Sequence, residues 1–315
     1  MSVLFCIVMF ALGLLFLVGG SSLFVDSAVS IAKKFHVPEV LIGATIVSLG
    51  TTLPEIMFST GASFRGYTDM ALGNALGSIL CNTGFISGTL LCIVSIRLDA
   101  ANLKSLKRYL CFLFVLISVY VLSGVFFAGL PRVSGLLLAA AGVWFLWSSA
   151  RRGADAQGGY AEQPEGRLVL SDVVRILLEI VLIYMGAGFL LEYGPVLAEI
   201  MGVPDVVISL TFVAAGTSLP ELVTSLVSLK KKHASLSLGN ILGADILNLV
   251  FVGGLSAVIH PIPYEKSVLA LEIPFIAALL AILCLPAVKN ARTKKWQGIL
   301  LVCTYGLYLW LMLIG

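Results

Sequence analysis

The chain has 315 residues, of which 59% are hydrophobic and only 12% charged, with a formal net charge of +3. A water-facing domain carries roughly 25% charged residues, so this chain cannot cover a soluble surface, and so small a net charge offers nothing to nucleic acid. What remains is an all-α polytopic membrane protein embedded in a lipid bilayer, because a span takes about 20 mostly apolar residues, whereas a β-barrel would alternate apolar and polar positions over short strands.

Ten transmembrane helices are predicted, at 3–25, 38–64, 69–95, 106–128, 132–150, 171–192, 204–229, 234–259, 266–288 and 295–314. The first has no basic leader and no small-residue cleavage site, so it reads as a retained span. The long polar connection, "RRGADAQGGYAEQPEGRLVL" at 151–170, reads as a cytoplasmic linker between two five-helix halves, 1–150 and 171–315. Cys6, Cys81, Cys92, Cys111, Cys284 and Cys303 all fall in apolar segments without paired spacing, which predicts core packing and no disulfides. His36, His233 and His260 stand alone near span ends and do not have the spacing of metal ligands.

The basic residues fix an orientation. With ten spans, 17 of the 20 Lys and Arg fall on one side, leaving Arg65, Arg132 and Lys266 on the other. Positive residues favour the cytoplasmic side, so both termini are expected outside the cytoplasm, in a multi-pass protein of the cell (plasma or inner) membrane.

Shifting the sequence by 166 positions lays 37–82 over 203–248 without a gap, with 18 identities in 46 positions. "GTTLPE" at 50–55 matches "GTSLPE" at 216–221, and "GNALGSILCN" at 73–82 matches "GNILGADILN" at 239–248. A repeat unit of five helices is odd in number, so the second copy enters the bilayer from the opposite face, giving two inverted five-helix repeats. Inverted repeats with interrupted helices are a mark of secondary transporters, with ion sites near the midplane.

The motifs carry their own chemistry. Pro54 lacks an N–H and disfavours helix at the residue before it, so span 2 is expected to kink or unwind at its middle, with Gly50 loosening the same turn. Freed carbonyls, the Thr51 and Thr52 hydroxyls and the Glu55 carboxylate would form an all-oxygen cluster. The stretch from Ala214 to Glu221, with Thr217 and Ser218, would repeat it from the other side. Hard cations such as Ca2+ and Na+ favour oxygen donors, and acids buried in spans mark ion pathways. Asn74, Ser78 and Asn82, with Asn240, Asp245 and Asn248, are expected to complete the shell from glycine-lined helices, where Gly73, Gly77, Gly239 and Gly243 permit close approach. Asp26 and Glu179 read as interfacial or secondary polar contacts, and Glu272 has no assigned role.

At these residues the chain resembles the cation/Ca2+ antiporter superfamily, and within it the prokaryotic sodium/calcium exchangers. The resemblance covers essentially the whole chain. It implies that Glu55 and Glu221 bind Ca2+ and share their site with Na+. It implies that Thr51 and Thr217 contribute oxygens, that the carbonyls of Ser48 and Ala214 join them, and that Ser78, Asn82 and residues 244–248 add ligands. It implies sliding of spans 1 and 6 for alternating access. The activity is then antiport and not an enzyme reaction, with Ca2+ and Na+ as cargo and no cofactor, and a monomer suffices. Two positions depart from the family pattern: Ala244 replaces a hydroxyl residue, and Asp245 places a carboxylate three residues ahead of the usual acidic position. That substitution opens H+ as an alternative coupling ion, with Asp245 as proton carrier. A cation channel is a more distant alternative, and an intramembrane enzyme more distant still.

Overall fold

The computed structural model describes residues 3–35, 37–157, 170–200 and 217–314. Among them are ten helices: α1 (Val3–Lys34), α2 (Glu39–Phe64), α3 (Thr68–Ile93), α4 (Ala100–Phe127), α5 (Arg132–Gln157), α6 (Leu170–Ile200), α7 (Leu219–Lys230), α8 (Ala234–Ile259), α9 (Val268–Asn290) and α10 (Lys295–Ile314). Eight of them, as described, are long and apolar enough to cross a membrane. The first half of the seventh predicted span, 204–216, lies outside the described residues, and the rest is seen as a turn leading into α7. α5 runs past the predicted end of its span at 150, to Gln157.

The helices sort by burial. Most of α1 and α6 faces outward, while α2, α3 and α8 form the interior. Outward-facing apolar side chains such as Leu15, Trp144 and Trp310 suit contact with lipid tails, which are as apolar as leucine. Three cysteines expected in the core, Cys92, Cys111 and Cys303, are on this outer surface, and all six are free thiols. An apolar sequence position in a membrane helix does not separate core from lipid face, because both are apolar.

The 166-residue offset survives as structure. α3 and α8 begin and end at equivalent residues, as do the ends of α2 and α7. Each of α3 and α8 also widens into a turn of π-helix at nearly the same register, Cys81–Ile86 and Asn248–Gly253. Such turns leave carbonyls without their usual donor and recur at functional sites. Tyr120 on α4 donates its hydroxyl to one of them, Leu249 O, at 2.8 Å.

Span 2 does not unwind at Pro54. α2 stays helical through that residue and relaxes earlier, in a π-turn at Gly43–Val47. Gly50 has a packing reason instead: a Cβ there would come within 2.8 Å of Phe24 and 3.1 Å of Ile180. In the second half Pro220 sits in the first turn of α7, where its missing N–H has no helical acceptor to lose.

Two close helix crossings hold the bundle. α2 meets α8 where a Cβ on Gly43, Gly239 or Gly243 would fall well inside contact distance of Leu236, Val40 or Ala44 backbone atoms. α1 meets α6 at Gly13, Gly20 and Gly186, and the tie is strengthened by Ser27 donating to Glu179 at 3.0 Å and by the Lys34–Asp172 ion pair at 3.1 Å. Gly73 and Gly77, expected to serve close approach as well, have no described atom within 4 Å of their would-be Cβ.

Loop contacts fall at two ends. One end gathers Lys34–Asp172, Asp26–Lys231 (2.6 Å) and Glu39–His233 (2.8 Å), with 97 bridged to 292. The other carries a two-residue pairing of β1 (Gly129–Leu130) with β2 (Ile262–Pro263). These are the two sets of loops that the charge pattern separates. Asp26 and Glu179 are accordingly secondary polar contacts, the latter also held by Arg175 at 2.9 Å. Glu272 accepts a 3.4 Å bond from Ser267.

Candidate cation site

α2 brings Ser48, Thr51, Thr52 and Glu55 to the interior, each with no exposed surface. Helical spacing places Thr51 and Glu55 one turn apart on one face. The start of α7 supplies Ser218 and Glu221, also buried, and Thr217 half-buried in the turn before it. Ala214 lies outside the described residues. α3 contributes Ser78 and Asn82, and α8 contributes Asp245 and Asn248, all buried.

These side chains converge across the two halves. Thr52 donates to Glu221 Oε1 at 3.1 Å. Thr83 donates to Asp245 Oδ2 at 2.6 Å. The Glu55 and Asp245 carboxyls each lie within electrostatic reach of Glu221. Among the described residues no Lys, Arg or His pairs with any of the three acids.

Among the described residues a set of buried polar atoms has no protein partner: both oxygens of Glu55, Glu221 Oε2, Asp245 Oδ1, Asn248 Oδ1, Ser78 Oγ, Ser218 Oγ and both polar atoms of Asn82. Buried polar groups are otherwise almost always hydrogen-bonded, and each unpaired one costs about 1–3 kcal/mol. Most of these atoms are oxygens. The cluster is therefore short of positive charge and rich in acceptors, which is the requirement of a hard cation. Among the described residues no three His, Cys, Asp or Glu side chains gather as a metal cage.

Asn74 and Asn240, expected in the same shell, have both polar groups of their side chains engaged with protein, each amide oxygen accepting one hydrogen bond from a threonine. Thr83 was missed because its equivalent under the 166-residue shift is Leu249, so the repeat gave it no signal. Ser59 and Ser225 were missed although they are identical in the repeat.

A helical membrane bundle with paired intramembrane carboxylates and unpartnered oxygens at its interior defines a cation-handling integral membrane protein. The sequence profile described as "Sodium/calcium exchanger protein" matches residues 5–149 and 171–314. The sodium/calcium exchanger MaX1 of Methanosarcina acetivorans is 31% identical, over 95% of each chain. Inner membrane protein YrbG of Escherichia coli is 32% identical over 96% of this chain and 94% of its own length. The solved structure of the sodium-calcium exchanger NCX_Mj soaked with zero Na+ and Ca2+ superposes with a TM-score of 0.83 at 27% identity, covering 99% of this chain and all of the other. The chain belongs to the sodium/calcium exchanger protein family, and is a multi-span cation/Ca2+ exchanger.

Proposed function

We propose that the protein is a secondary antiporter exchanging cytoplasmic Ca2+ for external Na+ at one site, built on Glu55 and Glu221. Thr51, Thr52, Thr217, Ser218, Ser78, Asn82, Asp245, Asn248 and the carbonyls of Ser48 and Ala214 complete that site. The observation that carries this reading is the pair of motif glutamates, one from each half: among the described residues three of their four oxygens have no partner, the fourth accepts only from Thr52, and no basic residue pairs with them. Two similar proteins named sodium/calcium exchangers support it.

The mechanism follows from charge. Ca2+ or several Na+ neutralise the carboxylates, and both compete for the same oxygens. An empty site leaves ionised groups uncompensated in low dielectric, at a cost of several kcal/mol per ion, so the loaded forms reorient and the empty form does not. Exchange without leak results. The halves 1–150 and 171–315 act as inverted repeats joined by 151–170, with 17 of 20 basic residues cytoplasmic and both termini outside. The cell membrane is the expected location.

Ca2+ uptake into proteoliposomes loaded with Na+, set against choline-loaded vesicles carrying a pH gradient, tests the coupling ion. Uptake requiring internal Na+ is expected, and uptake driven by the pH gradient alone would overturn Na+ coupling. One observation favours that second, Ca2+/H+ reading. Asp245 has one oxygen on the Thr83 hydroxyl and the other without a partner among the described residues, beside Ala244, where the family pattern has a hydroxyl residue. Asp245→Asn separates the two: Na+-driven flux persists with an altered Na+ dependence under the first reading, while proton-driven flux is lost under the second.

A further inference from the structure

One chain of hydrogen bonds occurs twice in this molecule. Thr51 Oγ1 donates to Asn240 Oδ1 at 3.3 Å, and Asn240 Nδ2 donates to Ser225 Oγ at 3.3 Å. Thr217 Oγ1 donates to Asn74 Oδ1 at 3.2 Å, and Asn74 Nδ2 donates to Ser59 Oγ at 2.8 Å. Each of the three residue types pairs with its counterpart 166 positions on. In both copies the Thr–Asn step crosses from one half to the other, while the Asn–Ser step stays within a half.

We infer that Asn74 and Asn240 are positioning residues for the cation site, each acting through the threonine of the opposite half. A threonine hydroxyl in a helix turns its proton back onto a carbonyl of the preceding turn. Thr51 Oγ1 does lie 3.3 Å from both Val47 O and Ser48 O. The single proton has three acceptors in reach, and Asn240 Oδ1 is the one outside the helix. Drawing the proton there leaves the Ser48 carbonyl and the remaining hydroxyl lone pairs turned to a cation. An amide suits the task because it accepts from Thr and donates to Ser in one fixed plane. Aspartate would lose the donor and add charge. Since each amide is anchored to the serine of its own half, the two halves hold each other's ligands in register. The inference rests on the reading of Thr51 and Thr217 as cation ligands.

A double-mutant cycle tests it, read as the apparent KM for Ca2+ and the maximal flux in proteoliposomes. Thr51→Val and Asn240→Ala are each expected to raise KM about fivefold, the size of one lost hydrogen bond, with a smaller change in maximal flux. The Thr51→Val/Asn240→Ala pair is expected to stay near fivefold, because both remove one interaction. Thr217→Val/Asn240→Ala is expected to reach about twenty-fivefold, because those sites are independent. A merely structural asparagine would not distinguish the two threonines, so equal behaviour of the two pairs, or a multiplied effect in the first, overturns the inference. If Thr51→Val and Thr217→Val leave KM unchanged, the ligand reading itself fails, and the inference with it. Should Asn240→Ala not fold, Asn74→Ala with Thr217→Val and Thr51→Val runs the mirror cycle with the same outcomes.

Discussion

Replacing Glu55 or Glu221 with glutamine is expected to abolish Ca2+ transport and to leave the bundle intact. Glutamine keeps the volume and one acceptor oxygen, so Thr52 retains its partner on residue 221. It removes the charge that a divalent ion requires. Breaking a buried charge pair costs about 3–5 kcal/mol, and each 1.4 kcal/mol is roughly tenfold in affinity, so apparent affinity falls by at least about a hundredfold. Thermal unfolding in detergent supplies a second readout. Saturating Ca2+ at about 100 times its dissociation constant stabilises the wild type by about 2.7 kcal/mol, and neither variant is expected to respond. In ion-free buffer the variants should melt no lower than the wild type, since a buried carboxylate without a partner is itself destabilising. Full flux in either variant would show that the grip lies elsewhere.

The second large effect concerns the α2–α8 crossing. Gly239→Val places carbon on the carbonyl of Val40, and Gly43→Ile places it on backbone atoms of Leu236 and Asn240. Backbone at a helix crossing has no rotamer to change, so the helices must separate. Separation pulls apart the surface that holds Ser48, Thr51 and Asn240. Loss of more than about 4 kcal/mol is expected, seen as disappearance of the monodisperse peak in size-exclusion chromatography. Gly306→Ala, where a Cβ meets nothing within 4 Å, is the control, and should shift stability by no more than about 1 kcal/mol. A monodisperse, active Gly239→Val protein would mean that the crossing is not needed.

Much of this was legible in the sequence because the same words are written twice. The motif repeat placed Glu55 opposite Glu221, and hydropathy placed span starts within a few residues for α2, α3, α5 and α8. What escaped reading has a physical reason in each case. An alignment of repeats pairs residues that are equivalent, whereas contacts across a pseudo-symmetric interface join residues that are not. Thr51 therefore aligns with Thr217 but touches Asn240. Thr83 contributes from one half alone, opposite a leucine. Proline propensity predicted a break at Pro54, yet packing kept α2 helical there and the relaxation moved to Gly43–Val47. Hydropathy stopped short of the end of α1, whose polar stretch at Asp26 to Lys34 is held as helix by partners on α6 and at Lys231.

The bonds that cross between the halves also set an order of assembly. Thr51 and Thr52 are synthesised first and find their cross-half partners on Asn240 and Glu221, some 170 to 190 residues later. At 5–20 residues per second, the ribosome needs on the order of ten seconds to deliver them. During that interval the first five helices stand in the bilayer with two hydroxyls of α2 still without their cross-half partners and the Glu55 carboxylate beside them. Polar groups in that position draw water or lipid headgroups inward, or hold a proton, until α7 and α8 arrive. The newborn first half is thus a wetter and looser object than the same helices in the finished exchanger, and its maturation is completed by the arrival of its own near-copy.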